Sequence, residues 1–290
     1  MFDQAESLRN LVHQLRDSQV RNTRVITVTS GKGGVGKSNF TLNFAISLKN
    51  LGYKVLVFDA DIGLANIDVL MGMTPKYNLY HLLKREKTIW EIVQKGYRDV
   101  EFIAGGSGFH DLLQLSEEQL QYFIEQVEAM NGRFDFILFD TGAGLSKETL
   151  QFIVSAQEAI IVTTPEPTAI TDAYAMIKMV HSLGHRVQFK LVVNRTANMR
   201  EGVFTANKIV LVAKQFLDLD VQTLGFIPDD AHVQKAVKQQ VPFVFAYPNC
   251  PAARAIQQLT GHFLTGDKLG GAGEKGGITN FLHRLIRLMK

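Results

Sequence analysis

The spacing of hydrophobic and polar positions changes several times along the chain. Residues 1–22 place Leu8, Leu11, Val12 and Leu15 on one helical face among charged neighbours, ahead of any strand pattern. From Arg24, VITVTS reads as a buried strand that leads into a glycine loop. SNFTLNFAISLKNLG then reads as a helix stopped by Gly52, and KVLVFDAD as the next buried strand. Short apolar runs recur at VEFIAG, FDFILFDT, EAIIVTTP, VQFKLVVNR and VQTLGFIPDD, separated by helical patterns such as TDAYAMIKMVHSLG. Strands alternating with helices imply an α/β fold, a mostly parallel central sheet flanked by helices on both faces. After PAARAIQQLTGHFLTG comes the glycine-dense GDKLGGAGEKGG, which has too few apolar groups to pack. The chain closes on ITNFLHRLIRLMK, with Ile278, Phe281, Leu282, Leu285, Ile286 and Met289 on one helical face opposite His283, Arg284, Arg287 and Lys290. The expected division is an extension over 1–23, an α/β domain over 24–266, a linker over 267–277 and an amphipathic helix over 278–290.

Composition narrows the chemistry. The net charge of +3, from 31 basic against 28 acidic residues, gives no global basic field, so no nucleic acid is expected as a partner. One cysteine, Cys250, excludes an internal disulfide and the multi-cysteine sets that hold structural zinc or iron–sulfur clusters. The N-terminus lacks the apolar run of a signal peptide, and no stretch approaches the ~20 apolar residues of a spanning helix. The expectation is a cytoplasmic protein whose membrane contact, if it has any, is peripheral.

Gly31, Lys32, Gly33, Gly34, Val35, Gly36, Lys37 and Ser38 spell GKGGVGKS between a strand and a helix, the context in which G-x-x-x-x-G-K-[ST] is a phosphate-binding loop. The glycines let backbone N–H groups converge on phosphate, and the helix presents its positive end. Lys37 neutralises charge on the outer phosphates, and Ser38 coordinates Mg²⁺. The ligand is therefore a nucleoside triphosphate with Mg²⁺, with Asn39 next in the binding segment. FDFILFDTGAG sets Asp140 at the end of a second buried strand, where an acid holds Mg²⁺ through water, and Thr141, Gly142 and Gly144 beyond it as a segment that senses the γ-phosphate. Asp59 and Asp61 stand two apart at the end of another strand and point the same way, toward the ligand crevice.

The extra lysine, Lys32, makes the loop resemble the deviant phosphate-binding loop of the MinD/ParA family, and DADIGLANIDVLMG, DTGAG, VVNR and IPDD follow in that family's order. The resemblance covers Arg24 to about Gly266. It implies an ATPase using ATP/ADP and Mg²⁺, with Lys32 reaching across an ATP-sandwiched homodimer and acting in catalysis with Lys37 and Asp61. It implies that Asp61 positions or activates the attacking water, that Asp59 lies near the metal with Ser38 and Asp140, and that Asn194 contacts the adenine. Arg195 either stacks over the base or is solvated, and GFIPDD resembles the loop lining the base's other side through Pro228 and Asp230.

DQAESLR, at Asp3, Gln4, Ala5, Leu8 and Arg9, resembles the N-terminal motif of the FlhG (YlxH) members of that family. In them it activates the signal-recognition-particle-type GTPase FlhF, so the resemblance implies regulation of flagellar number or placement, with FlhF and the C-ring proteins FliM and FliY as partners. The C-terminal ITNFLHRLIRLMK resembles the family's membrane-targeting sequence, which implies binding to an anionic membrane surface. The same apolar stripe equally suits a helix packed on the domain. The alternatives are a MinD-like division-site ATPase, which has no catalytic use for Gln4, and a small-molecule phosphotransferase, which needs an acceptor pocket.

Overall fold

A computed structural model describes residues 23–61, 66–105, 116–266 and 277–289. Asp3, Gln4, Ala5, Leu8 and Arg9, most of the linker, and Lys290 lie outside the described residues, as does the side chain of Met289.

Eight strands form one sheet in the order β3-β4-β2-β5-β1-β6-β7-β8. They are β1 (Arg24–Ser30), β2 (Val55–Ala60), β3 (Gln94–Lys95), β4 (Glu101–Ile103), β5 (Phe136–Ala143), β6 (Glu158–Thr163), β7 (Gln188–Thr196) and β8 (Gln222–Pro228). All pairings are parallel except that of the two-residue edge strand β3 with β4. The central strands read as unbroken apolar runs because both faces are covered, as a parallel sheet requires.

One face carries α1 (Lys37–Asn50), with α9 (Ala231–Gln239), α10 (Phe243–Ala246) and α11 (Pro251–Gly266) packed beside it through Phe40, Phe44, Ile256 and Phe263. Gly52, at φ 89°, ends the first of these helices where the sequence placed the stop. The short helices α2 (Ile67–Leu70), α3 (Leu79–Leu83) and α4 (Ile89–Ile92) thread between β2 and β3. The opposite face is covered by α5 (Glu117–Glu128), α6 (Lys147–Ser155), α7 (Pro167–Ser182) and α8 (Met199–Leu217).

The C-terminal helix α12 (Gly277–Met289) lies on that second face, against α5 and α6. Ile278, Phe281, Leu282 and Leu285 are each no more than 2% exposed, and Ile286 packs at the edge of the same cluster. Phe281 stacks on Phe139 of β5 at 4.5 Å, and the Gln151 side-chain amide donates to the carbonyl of Leu288 at 2.7 Å. Of the two readings that the stripe allows, the structure therefore shows the docked one: Ile278, Phe281, Leu282 and Leu285, expected to face lipid, are buried in the domain.

Candidate functional site

The parallel strands all point their C-terminal ends at one edge, and the glycine loop sits there between β1 and α1. Geometry requires glycine at several places in the loop, of which Gly36 and Gly31 show the two reasons. Gly36, at φ 91°, is the residue before the helix, in the left-handed region that a side chain resists. A Cβ on Gly31 would stand 2.4 Å from the backbone carbon of Asp172, so only glycine lets the loop lie against α7. The helix opens with no acidic residue in its first turn and no side-chain cap, which leaves its N-terminal amides for an anion.

Lys37 and Asp140 form a buried ion pair at 2.9 Å, 6% and 0% exposed. The same Asp140 oxygen, Oδ1, accepts from Thr41 at 2.9 Å, and the Lys37 ammonium also approaches the Ser38 hydroxyl at 3.3 Å. The other oxygen, Oδ2, is buried without a hydrogen-bond partner. A buried carboxylate oxygen with an unused acceptor, beside the serine hydroxyl at the helix start, suits Mg²⁺ or a water bound to it. Thr41 was not anticipated; it lies one helical turn beyond Lys37, and that spacing is its only trace in the sequence.

Asp59 and Asp140 are register partners across β2 and β5. Asp59 is 1% exposed and accepts from the amides of Asp61, Asn66 and Ile67 at 3.2, 2.9 and 3.1 Å. Its carboxylate thus holds the chain entering α2, while Asp140 is its neighbour across the sheet. Burial and then the Asp140 charge push Asp59 up from 3.8 to about 7, against the pull of those three amides. Asp61 is half-buried and also raised, chiefly by burial, with Lys37 pulling it down and Asp140 pushing it up. Its Oδ1 lies 3.4 Å from where a Cβ on Gly142 would be, so Asp61 sits against the segment that follows Asp140.

The sign for Asp59 sets a pH dependence. Between its unfolded and folded pKa the native state binds the extra proton, so its contribution to stability is full below about pH 4 and is lost as pH rises through about 7. The loss amounts to about 4 kcal/mol for the nucleotide-free protein. Asp59→Asn keeps one acceptor oxygen for the amides of Asn66 and Ile67, gives up the one that meets Asp61 at either pH, and removes the titration. Urea unfolding of both proteins at pH 5 and pH 8 is expected to show the variant gaining on the parent at the higher pH; parallel curves would contradict this assignment.

Lys32 bends back within its own chain. Its ammonium contacts Glu166 at 2.7 Å and the Thr168 hydroxyl at 3.0 Å, at the start of α7, and all three groups are solvent-accessible. The Lys32 hydrogen bond and charge, then Arg195, hold Glu166 below the usual carboxylate range. Glu166 and Thr168, 134 and 136 residues away, left no signal in the sequence.

Beside the loop lies a cavity of about 290 Å³ lined by Gly36, Asn39, Phe40, Asn194, Arg195, Pro228 and neighbours on α9. Asn194 reaches it, but its amide donates to the Val35 carbonyl at 2.8 Å and its oxygen accepts from the Arg195 amide at 3.0 Å. It fixes the glycine loop against β7 before any base binds. Arg195, at φ 56°, is exposed at the rim. Pro228 and Asp230 both line the cavity, and Asp230 also caps α9 and α11: its two oxygens accept from the amides of His232 and Ala252 at 2.9 and 3.1 Å. Despite its burial, these contacts, with the His232 ring at 2.8 Å, bring Asp230 down to about 2.

The arrangement is a cradle for a nucleoside triphosphate: amides for phosphate, a cation and a carboxylate at the outer phosphates, and an apolar-walled slot for a base. Comparison with known proteins agrees. The model of the ParA family, described as NUBPL iron-transfer P-loop NTPase, matches residues 21–264. The antiactivator FleN of Pseudomonas aeruginosa is 36% identical over 236 residues, 81% of this chain and 84% of its own. The flagellum site-determining protein YlxH of Helicobacter pylori is 36% identical over 296 residues, the full length of both. Among solved structures, MinC:MinD from Aquifex aeolicus superposes with TM-score 0.68 at 27% identity over 88% of this chain and 100% of that one. MinD of Pyrococcus horikoshii complexed with Mg-ADP gives 0.67 at 26% over 86% and 100%. The chain belongs to the ParA/MinD family of P-loop ATPases, with FleN and YlxH among its homologues.

Proposed function

We propose that this ATPase is an FlhG-type switch that sets flagellar number or placement: it dimerises around ATP and Mg²⁺, attaches to the membrane and activates FlhF. The observation that carries this reading is the DQAESLR motif at Asp3–Arg9 standing ahead of a domain whose lysine-bearing loop is complete. Mg²⁺, held by Ser38 and by Asp140 through water, would offset phosphate charge when ATP is bound. Lys37 would hold the outer phosphates, Asp61 would orient or deprotonate the attacking water, and Asn194 and Pro228 would flank the base. Lys32 would leave Glu166 and Thr168 for the ATP of a second copy, an exchange made easy by the exposure of that pair.

Membrane attachment requires α12 to leave the domain, because its apolar face is buried in this structure. The segment after Asp140 supplies a route. It runs into α6, whose Gln151 and Phe152 touch α12, so a shift on ATP binding would loosen the helix where it is held. Two freed helices on a dimer gain avidity of about 10² to 10⁴ over one. Once bound, the dimer would present its N-termini to FlhF and meet FliM and FliY on a separate surface.

Stimulation of GTP hydrolysis by purified FlhF with a peptide spanning Met1 to Asn22, lost with Gln4→Ala, is the expected result. Absence of stimulation would turn the assignment to a division-site ATPase of MinD type, which has no use for Gln4.

A further inference from the structure

From Phe40 to Leu48 every residue of α1 is buried, and one of them, Asn43, is an amide with no exposed surface. Taking a carboxamide out of water costs stability unless its acceptor and its donors are met. The backbone amide of Val244, on α10 and 201 residues away, donates to Asn43 Oδ1 at 3.0 Å. A backbone N–H can only donate, so the atom of Asn43 that faces it is the oxygen and not the nitrogen. That fixes the other end of the side chain. The NH₂ group is turned back along the helix, where it donates to the Asn39 carbonyl at 2.7 Å and to Asn39 Oδ1 at 2.8 Å.

The consequence falls on Asn39. Its side chain lines the cavity beside the glycine loop, together with Gly36, Asn194 and Phe243. With its oxygen held by Asn43, what Asn39 has left to offer a ligand is the pair of N–H donors on Nδ2. Donors suit a nucleotide, whose phosphates and ring nitrogens accept. An Asn39 turned the other way would set a carbonyl oxygen against those same acceptors. The short helix α10 thus acts on the cavity twice: Phe243 walls it, and the next residue sets the orientation of Asn43.

We infer that Asn43 is a positioning residue of the nucleotide site: the Val244 amide orients Asn43, Asn43 holds Asn39 by its oxygen, and Asn39 meets an acceptor of the nucleotide with its NH₂ group. The contact with Val244 alone would make Asn43 a cap for the start of α10, a task confined to stability. The two bonds to Asn39 give it a second task, because they decide which end of a cavity-lining side chain faces the ligand. The inference concerns nucleotide binding and is independent of the flagellar partners proposed above.

A double-mutant cycle on the full chain, read as affinity for Mg-ADP by titration calorimetry, separates the two tasks. Asn39→Ala removes the donor and is expected to weaken binding about tenfold. Asn43→Leu has a similar size and no polar group, so Asn39 must leave its oxygen unpaired or swing it toward the ligand; the expected loss is about fivefold. On the Asn39→Ala background the same leucine is expected to change affinity by less than twofold, since no amide is left to orient. Asn43→Val repeats the cycle with a smaller side chain should leucine prevent folding, which urea unfolding of each variant reports. Equal losses from the Asn43 change in both backgrounds would make it a packing and capping residue only. That result, or the absence of a loss from either single change in folded protein, would overturn the inference.

Discussion

Replacing Asp61 with alanine is expected to lower ATP turnover by about 10² to 10⁴-fold, the range for losing a positioned proton acceptor, while ATP still binds. The phosphate-binding groups are untouched by the change: Lys37, Thr41 and Asp140 form their own buried cluster, and Asp61 meets it only through charge. Asp61 sits against Gly142, and in the function proposed above, where that segment follows the γ-phosphate, its carboxylate would meet the attacking water. Burial raises its pKa above the ordinary carboxylate value, which makes it a better proton acceptor and places the activity on the deprotonated side, rising with pH. The altered protein should collect as ATP-bound dimer in gel filtration with light scattering. Asp61→Asn separates the two roles: an amide still orients water but takes no proton, so recovery of much of the rate would assign orientation. Turnover within threefold of the parent in both variants would remove Asp61 from the reaction.

The parts of this site that the sequence made legible are those in which one short stretch does the work. GKGGVGKS stands between its own strand and helix start, and Asp140 follows a short apolar run, FILF, that the glycines beyond it mark as a buried strand. Strand order was not written there in the same way, but a loop of this kind leaves few choices for the neighbours of β1, and it lies between β5 and β6.

What escaped depends on pairs far apart in the chain. The partners of Lys32 are 134 and 136 residues away, and no local pattern announces a glutamate as a resting place. Asp59 accepts from three backbone amides, and amides that turn back on a carboxylate are invisible until the loop is folded. Asp230 lines the cavity, but its capping contacts with the amides of His232 and Ala252 were hidden in the same way. For α12 the difficulty is physical: lipid and a protein groove ask for the same 3.6-residue stripe, so periodicity alone has no means of choosing between them. The short helices between β2 and β3 and the two-residue β3 fall below the length at which periodicity carries information.

Lys37 gives the other large effect, because its removal strikes stability and binding at once. Asp140 has no exposure, and its charge is met by the Lys37 ammonium at 2.9 Å and one hydroxyl. Breaking a buried pair on one side costs about 3 to 5 kcal/mol, since the remaining charge keeps its desolvation penalty and loses its partner. Lys37→Met leaves the side-chain volume nearly intact, so that cost should appear in urea unfolding of the nucleotide-free protein with little added from a cavity. ATP affinity should fall about 10²-fold, as expected when the cation at the outer phosphates is lost. The two losses have different causes, and a second substitution divides them. Asp140→Asn on the Lys37→Met background neutralises the stranded charge and is expected to restore most of the stability, while ATP binding stays lost because nothing replaces the ammonium. If the double variant were as unstable as Lys37→Met alone, the stability cost would lie in packing of the lysine stem; if ATP affinity returned with stability, Lys37 would act by keeping the loop folded and not by meeting phosphate.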